Sequence, residues 1–464
     1  MNTPVRKKLG ILPLTLLVVG SIVGSGIFSL PQNMAEGAGA GAIVIAWVIT
    51  LCGMLMLTRI FQYLSIRFYK INDGLYGYVR EGFGDYIGFN AAWGYWISAW
   101  MACASYLVIL FSALGSFDCF NYFGDGTTFS SVIVGLIFLW IVHFFVLNGI
   151  YRAFLLNCIV TLAKIIPIGL FILCIILAFK VSTFKIDFWG SPQLGSIVDQ
   201  IEHTMLYTVW VYLGIESATV YAARAKNIIS ISRATFFGFA ITSLLLVCVS
   251  VLSLGIVPQQ ELATMKNPSM ALVIERVIGS WGATFINISL IVSVSGGLLS
   301  WIMLAAEMLF LAGQGEQHTV PRSFGKLNKA GTPANALWLT TVLISILIIL
   351  AHFYQSGYNT LIQLSTSMVL IPYLLAALFV LKIAIKRKKA YLIMIGALGS
   401  IYGLWLIYAG GVFYLLLSMI LYSVGLIFYI YARKQRSLVT FSYLHDKIYA
   451  ITIIVLAIIA ILYF

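Results

Sequence analysis

The sequence predicts an all-α polytopic membrane protein, built as an inverted repeat of two five-helix halves around a central site. Three observations carry that expectation. Of 464 residues, 61% are hydrophobic and 9% charged, whereas a soluble domain carries roughly a quarter charged residues. The apolar residues fall into stretches of membrane-spanning length, about 20 residues each. Two of those stretches, the first and the sixth, are interrupted at mid-depth by glycine and polar residues.

Taken in order, the spans are expected near residues 11–34, 40–63, 86–115, 130–149, 153–180, 199–221, 233–257, 277–312, 335–354, 359–382, 390–409, 412–432 and 447–464. Arg6, Lys7 and Lys8 precede the first, without a short apolar region and small-residue cleavage site behind them. The first helix is therefore expected to insert and remain. The eleventh and twelfth are joined tightly at Gly410-Gly411. The thirteenth is short enough either to cross or to lie along the interface. The whole chain, 1–464, reads as one integral membrane domain, with a core at 1–382 and additional C-terminal helices at 390–464.

Basic residues orient these spans. With the N-terminus inside, alternation puts Arg59, Arg67, Arg80, Arg322, Lys326, Lys382, Arg387, Arg433 and their neighbours on one side. Only Lys180, Lys185, Lys266 and Arg276 fall on the other. That asymmetry predicts a cytoplasmic N-terminus. It also accounts for the net charge of +13 without a nucleic-acid partner, because the charges sit between apolar spans rather than on one soluble face. Cysteines 52, 103, 119, 158, 174 and 248 have no metal-like spacing and read as packing residues, with no disulfide framework.

The candidate site lies at the interrupted spans. In the first, Gly24-Ser25-Gly26 weakens the helix where the bilayer would otherwise enforce one. Breaks at matching positions of two halves mark the substrate site in secondary transporters. Backbone N–H groups freed near Gly24 to Gly26, at the positive end of a half-helix, suit a carboxylate, and Ser25 adds a hydroxyl. Carbonyls freed around Ile22 suit an ammonium, so the pair fits an α-amino acid. The competing reading is close packing by small residues. In the sixth span, Val211 to Ser217 contains Gly214 and Glu216. An intramembrane acid is a functional hypothesis by default: Glu216 is a candidate gate, proton site or cation attractor, against a plain role in bonding freed N–H groups.

Aromatic faces hold a cation without a counter-ion. Trp210 precedes the second break, and Trp301, Tyr95, Trp96 and Trp100 lie in other spans, although most membrane aromatics only pack. Lys164 lies mid-span, too far from either end to snorkel, and is a candidate ion or proton site. Glu307 is a weaker acid candidate near a span end, and His143, His203 and His352 are candidate pH sensors with structural roles as the alternative. No P-loop, metal-ligand cluster or catalytic triad stands out, so neither metal nor cofactor is expected.

The chain resembles the amino acid–polyamine–organocation superfamily, and within it the bacterial basic amino acid/polyamine antiporters, most nearly the arginine/ornithine antiporters. The motifs are Gly20-Ser21-Ile22-Val23-Gly24-Ser25-Gly26-Ile27-Phe28 with Leu30-Pro31, Gly74-Leu75-Tyr76-Gly77-Tyr78, Gly82-Phe83-Gly84-Asp85-Tyr86, Gly94-Tyr95-Trp96, Gly214-Ile215-Glu216-Ser217-Ala218 and Asn328-Lys329-Ala330-Gly331-Thr332-Pro333. The resemblance implies a LeuT-type five-plus-five fold with discontinuous first and sixth helices and 12–13 spans. It implies that Ile22, Ser25 and Gly26 hold the amino and carboxylate groups of the substrate. Trp210 would shield the substrate as a middle gate, and Trp301 would stack on its cationic end. Tyr95, Glu216 and Tyr373 would form gates, and Ser98 and Ser365 would line the distal pocket. Cys103 stands where related antiporters often carry an asparagine; a thiol is a poor substitute for an amide. Lys164 matches a proton-linked lysine of some amino acid transporters that arginine/agmatine antiporters lack. The thirteenth span also departs from the common twelve.

The function expected is exchange of cationic amino acids, arginine against ornithine or a related lysine-like or diamine substrate, across a bacterial inner membrane, by a non-enzyme and with a homodimer as a possible assembly. A proton-coupled importer using Lys164 or Glu216 is the alternative, and an amino acid sensor is a more distant one.

Overall fold

The computed structural model describes residues 10–68, 71, 74–149, 153–216, 228–314, 319–354 and 357–463. Among them the regular structure is helical. Among the described residues, eleven helices are long and apolar enough to cross a membrane, and a bent pair at the N-terminal end makes up to twelve.

That pair is the first expected span. Helix α1 (Ile11–Ile22) and helix α2 (Gly26–Ala35) meet at 45°. Val23 leaves the helix with extended backbone. At Gly24, an added Cβ would stand 2.3 Å from the hydroxyl of Tyr106. The glycine thus serves close approach as well as the break. Helix α3 (Ala40–Arg67) forms the second span. A short helix that the hydropathy pattern did not foretell, α4 (Gly74–Phe83), then ends at Gly84. With φ of 93°, Gly84 turns the chain into α5 (Asp85–Gly115), because only glycine takes that conformation cheaply.

Helix α5 is the central element: 94% of its spanning window is buried. Next come α6 (Phe129–Leu147) and α7 (Ala153–Ala178). Helix α8 (Ile197–Trp210) is the first half of the sixth span. Ser196 and Asp199 start it with a reciprocal capping box, which satisfies two otherwise unpaired N–H groups. It stops at Trp210, and residues 211–216 form a turn. Ser217 and Ala218, with the rest of that expected span, lie outside the described residues.

Helix α9 (Ile228–Ser253) is followed by two short helices, α10 (Gln259–Ala263) and α11 (Ser269–Ile278), and then by α12 (Ser280–Gly313). The eighth span was expected to begin at 277; it begins at Ser280 because Gly279, at φ 83°, separates α11 from α12. Helices α13 (Ala334–Phe353), α14 (Tyr358–Lys386), α15 (Ala390–Ala409), α16 (Gly411–Lys434) and α17 (Leu444–Tyr463) complete the chain. Gly411, at φ 77°, makes the tight α15–α16 joint. With 20 residues, α17 is about 30 Å long, enough to cross.

Helices α12 and α14 pack along α5. The C-terminal helices are tied to the same element: Arg433 Nη1 on α16 meets Asp85 Oδ2 at 3.0 Å, with both side chains largely buried. Tyr86, one residue on, sits among the rings of Tyr429, Phe441 and Tyr449.

Candidate functional site

The two breaks touch. Gly214, at φ 101°, lies so close to α1 that an added Cβ would stand 2.4 Å from the carbonyl oxygen of Ser21. The carbonyls exposed where α1 ends are not left open. The Nζ of Lys164 on α7 donates to Gly20 O at 2.7 Å and also to Val23 O. Lys164 is buried, at 3% exposure. Two of the carbonyls expected to receive a substrate ammonium therefore already receive a protein one, while Ile22 stays at the cavity wall.

That cavity encloses about 10 Å³, on the order of a single water molecule. Its lining includes Ile22, Gly24, Gly26, Tyr106, Trp210 and Trp301. Four sequence candidates, Ile22, Gly26, Trp210 and Trp301, thus converge from α1, α2, α8 and α12. Gly26 is the first residue of α2, where helix N–H groups lack acceptors within the helix. A Cβ there would reach 2.7 Å from Val211 Cγ1 and 2.8 Å from the Trp210 indole. Trp210 meets Tyr106 edge-on, with ring centroids 6.3 Å apart. Its buried indole N–H has no hydrogen-bond partner among the described residues.

Ser25, fully buried, does not cap α2 with its side chain. Its hydroxyl pairs instead with Tyr358 Oη at 3.0 Å, and Ser29 Oγ donates to the same oxygen at 3.3 Å. Neither Tyr106 nor Tyr358 was picked out by sequence. Both are single aromatics among 25 tyrosines with no motif around them, and Tyr358 reaches its partners from more than 300 positions away.

One step along the bundle, the carboxylate of Glu216 gathers three donors. Tyr95 Oη donates to Oε1, Tyr373 Oη donates to Oε2 at 2.5 Å, and the Gly214 N–H donates to Oε2 at 3.2 Å. The expected gate trio is therefore assembled, joining α5, α14 and the second break. The plainer expectation, an acid bonding a freed N–H, is met by the same carboxylate.

The expected distal pocket is different. Ser365 Oγ donates to Ser98 O at 2.8 Å, and the two hydroxyls lie 3.3 Å apart, so each occupies the other. Cys103 is fully buried on α5, one turn from Tyr106. None of the three lines the cavity at Trp210 and Trp301. Trp96 donates to Thr340 Oγ1 on α13 at 3.0 Å and packs with Trp93 and Trp100, while Trp93 donates to Leu421 O on α16 at 3.0 Å. Glu307 is exposed on α12. His143 pairs with Thr341, and His352 with the Thr127 carbonyl, both apart from the cavity. Among the described residues no group of His, Cys, Asp and Glu is placed to hold a metal ion.

The amino acid permease family matches residues 9–456. The arginine/ornithine antiporter of Pseudomonas aeruginosa is 43% identical over 471 aligned residues, covering 98% of this chain and 97% of that protein. The arginine/agmatine antiporter of Chlamydia pneumoniae is 40% identical, covering 94% of this chain and 92% of its own length. That of Chlamydia abortus is 39% identical, covering 99% and 97%.

Proposed function

This chain belongs to the amino acid permease family, and we propose that it exchanges cationic amino acids, arginine against ornithine or a related diamine, across the bacterial inner membrane with its N-terminus in the cytoplasm. The observation that carries the reading is the meeting of the α1–α2 break with the end of α8 at a cavity walled by Trp210 and Trp301. The printed names of the relatives, arginine/ornithine and arginine/agmatine antiporters, supply the substrate class.

The mechanism follows from the chemistry at each wall. The carboxylate of an amino acid goes to the N–H groups opening α2, because a helix N-terminus offers unpaired donors and a partial positive charge. The cationic end lies against the face of Trp301, worth about 0.5–2 kcal/mol. Ser25 and Ile22 complete the head-group pocket. A cavity of about 10 Å³ is too small for an amino acid, so binding requires the Trp210 and Trp301 side chains to part, and Trp210 serves as the lid. Glu216 clasps Tyr95 and Tyr373 beneath it, and release of that clasp opens the route to the cytoplasmic side. Ser98, Cys103 and Ser365 adjust the distal end. Residues 1–382 form the moving core, with 390–464 attached through Arg433 and Asp85. An exchanger reorients slowly when empty and quickly when loaded, so each inward passage is matched by an outward one.

The test is uptake of labelled arginine into proteoliposomes preloaded with arginine, ornithine, lysine, agmatine or buffer alone. Exchange predicts uptake only against an internal cation, with the fastest internal partner identifying the physiological pair. Equal uptake into empty vesicles under a pH gradient would overturn the reading in favour of a proton-coupled importer.

A further inference from the structure

Helix α2 carries a polar stripe from the cavity to the surface. Ser25, Ser29, Gln32, Asn33 and Glu36 recur at intervals of three and four, which places them on one face. Polar residues on a buried helix need partners, and the stripe supplies them in a continuous chain. Ser25 pairs with Tyr358, which accepts from Ser29. Asn33 Nδ2 donates to Ser29 Oγ at 3.2 Å. Asn267, between α10 and α11, donates from one amide to Gln32, Asn33 and Asn359 at 2.8, 3.1 and 3.1 Å. Asn359 at the start of α14 donates to Glu36 Oε2 at 2.9 Å, and Tyr207 on α8 donates to the same oxygen at 3.0 Å. Gln32, Asn33 and Tyr207 are nearly inaccessible, whereas Glu36 is exposed.

Two features of this column are unneeded for mere packing. It joins α2 to α8 and α14 through side-chain hydrogen bonds, and to the α10–α11 segment through side-chain bonds to Asn267 together with bonds between Ser269, Gln32 and Gln259 side chains and facing backbone groups. It also ends on a carboxylate held by the neutral donors Tyr207 and Asn359, with no cation paired to it among the described residues. Like Glu216, the Glu36 carboxylate at the C-terminal end of α2 is held by a tyrosine and by a side chain of α14.

Resting on the exchanger reading, we propose that the polar face of α2 is the route from the extracellular side to the site, and that Glu36 is its recruiting carboxylate. In the closed form Glu36 clasps Tyr207 and Asn359. In the open form it trades those neutral donors for the guanidinium or ammonium of the arriving substrate, a charge-assisted hydrogen bond stronger than the ones it gives up. Glu36 is thus a peripheral cation subsite and the latch of the same gate.

Two variants separate these roles. Glu36→Gln keeps an acceptor oxygen for the clasp and removes the charge. In proteoliposomes of defined orientation, it should raise the external half-saturation concentration for arginine about two- to fivefold, as loss of an exposed ion pair does, and leave the internal value unchanged. Glu36→Ala removes the clasp as well. In substrate-free nanodiscs it should accelerate deuterium uptake across residues 259–278 relative to both the parent and Glu36→Gln. An unchanged external half-saturation in Glu36→Gln, or equal changes on both sides, would overturn the recruiting role. Unchanged deuterium uptake in Glu36→Ala would overturn the latch. If the parent protein exchanges no arginine, the exchanger reading fails on its own, while the deuterium measurement still decides the latch.

Discussion

The hydroxyl of Tyr373 lies 2.5 Å from Oε2 of Glu216, and the tyrosine donates to an acid that is 6% exposed. A hydrogen bond to a charged group is worth about 1.5–3 kcal/mol, so this contact is a substantial part of what holds α14 against the second break. Tyr373→Phe removes one of the two phenolic donors and should lower the midpoint of thermal unfolding while slowing exchange about tenfold or more. Glu216→Gln, which also weakens the donors' hold, should slow exchange at every pH between 5 and 8. Exchange as fast as the parent's in both variants would remove the clasp from the transport cycle.

The glycine at the first break gives a sharper test, because its reason is a single atom. Gly24→Ala would put a methyl group 2.3 Å from Tyr106 Oη and 3.3 Å from Cζ. Overpacking of this kind costs about 1–3 kcal/mol. Removing the hydroxyl should relieve most of it. We therefore expect Gly24→Ala to lose most arginine exchange, and the double variant Gly24→Ala/Tyr106→Phe to be more stable than the single one. Unfolding midpoints of the parent, both singles and the double form a cycle whose coupling should be favourable by about 0.5–3 kcal/mol. A coupling near zero would mean that the break tolerates a side chain for other reasons.

The pairing of Gly24 with Tyr106 also marks where sequence reasoning reached its limit. Both breaks were legible, because glycine beside serine or glutamate inside an apolar span contradicts its surroundings, and a bilayer penalises that contradiction. That Tyr95, Glu216 and Tyr373 act together was expected from the resemblance, and the structure brings the three side chains into hydrogen-bond contact. Tyr106 and Tyr358 were not, since an aromatic in an apolar span looks like packing until its partner is known. Helix α4 and the start of α12 were missed for another reason. Each is bounded by a glycine at positive φ, Gly84 and Gly279, and hydropathy does not register backbone conformation. Ser98 and Ser365 show a third kind of limit, because they lie apart from the cavity at Trp210 and Trp301. Ser98 and Ser365 look like ligands in sequence, yet two hydroxyls facing one another satisfy their own hydrogen-bonding needs.

Trp301 lines the cavity with 8% of its surface exposed, which leaves its ring for a ligand more than for solvent. Trp301→Leu keeps an apolar side chain and removes the π-face. The half-saturation concentration for arginine should rise between about twofold and thirtyfold, the range corresponding to 0.5–2 kcal/mol of cation–π attraction. Surface expression and the unfolding midpoint should change little by comparison. Unaltered arginine kinetics would take Trp301 out of the binding site. Cys103→Asn, one turn from Tyr106, supplies the companion measurement: an added amide should reorder arginine, lysine and ornithine, and an unchanged order would separate Cys103 from the distal end.

Lys164 joins α7 to the end of α1 through two carbonyls, Gly20 O and Val23 O. The carbonyls belong to a helix end whose usual N–H donors are missing, and an unpaired buried acceptor costs about 1–3 kcal/mol. Lys164→Met has nearly the same length and no donor. It should lower the unfolding midpoint and abolish most exchange, because the break would lose the group that fixes its shape. Lys164→Gln keeps two N–H donors without a titratable ammonium. If the lysine acts as a fixed clamp, the glutamine variant should recover part of the midpoint and part of the exchange, with a pH dependence like the parent's. If it carries a proton, the glutamine variant should recover the midpoint while its transport becomes indifferent to an imposed pH gradient that drives the parent. Measuring both variants for midpoint and for pH-driven uptake distinguishes the two roles, since only the second role dissociates stability from transport.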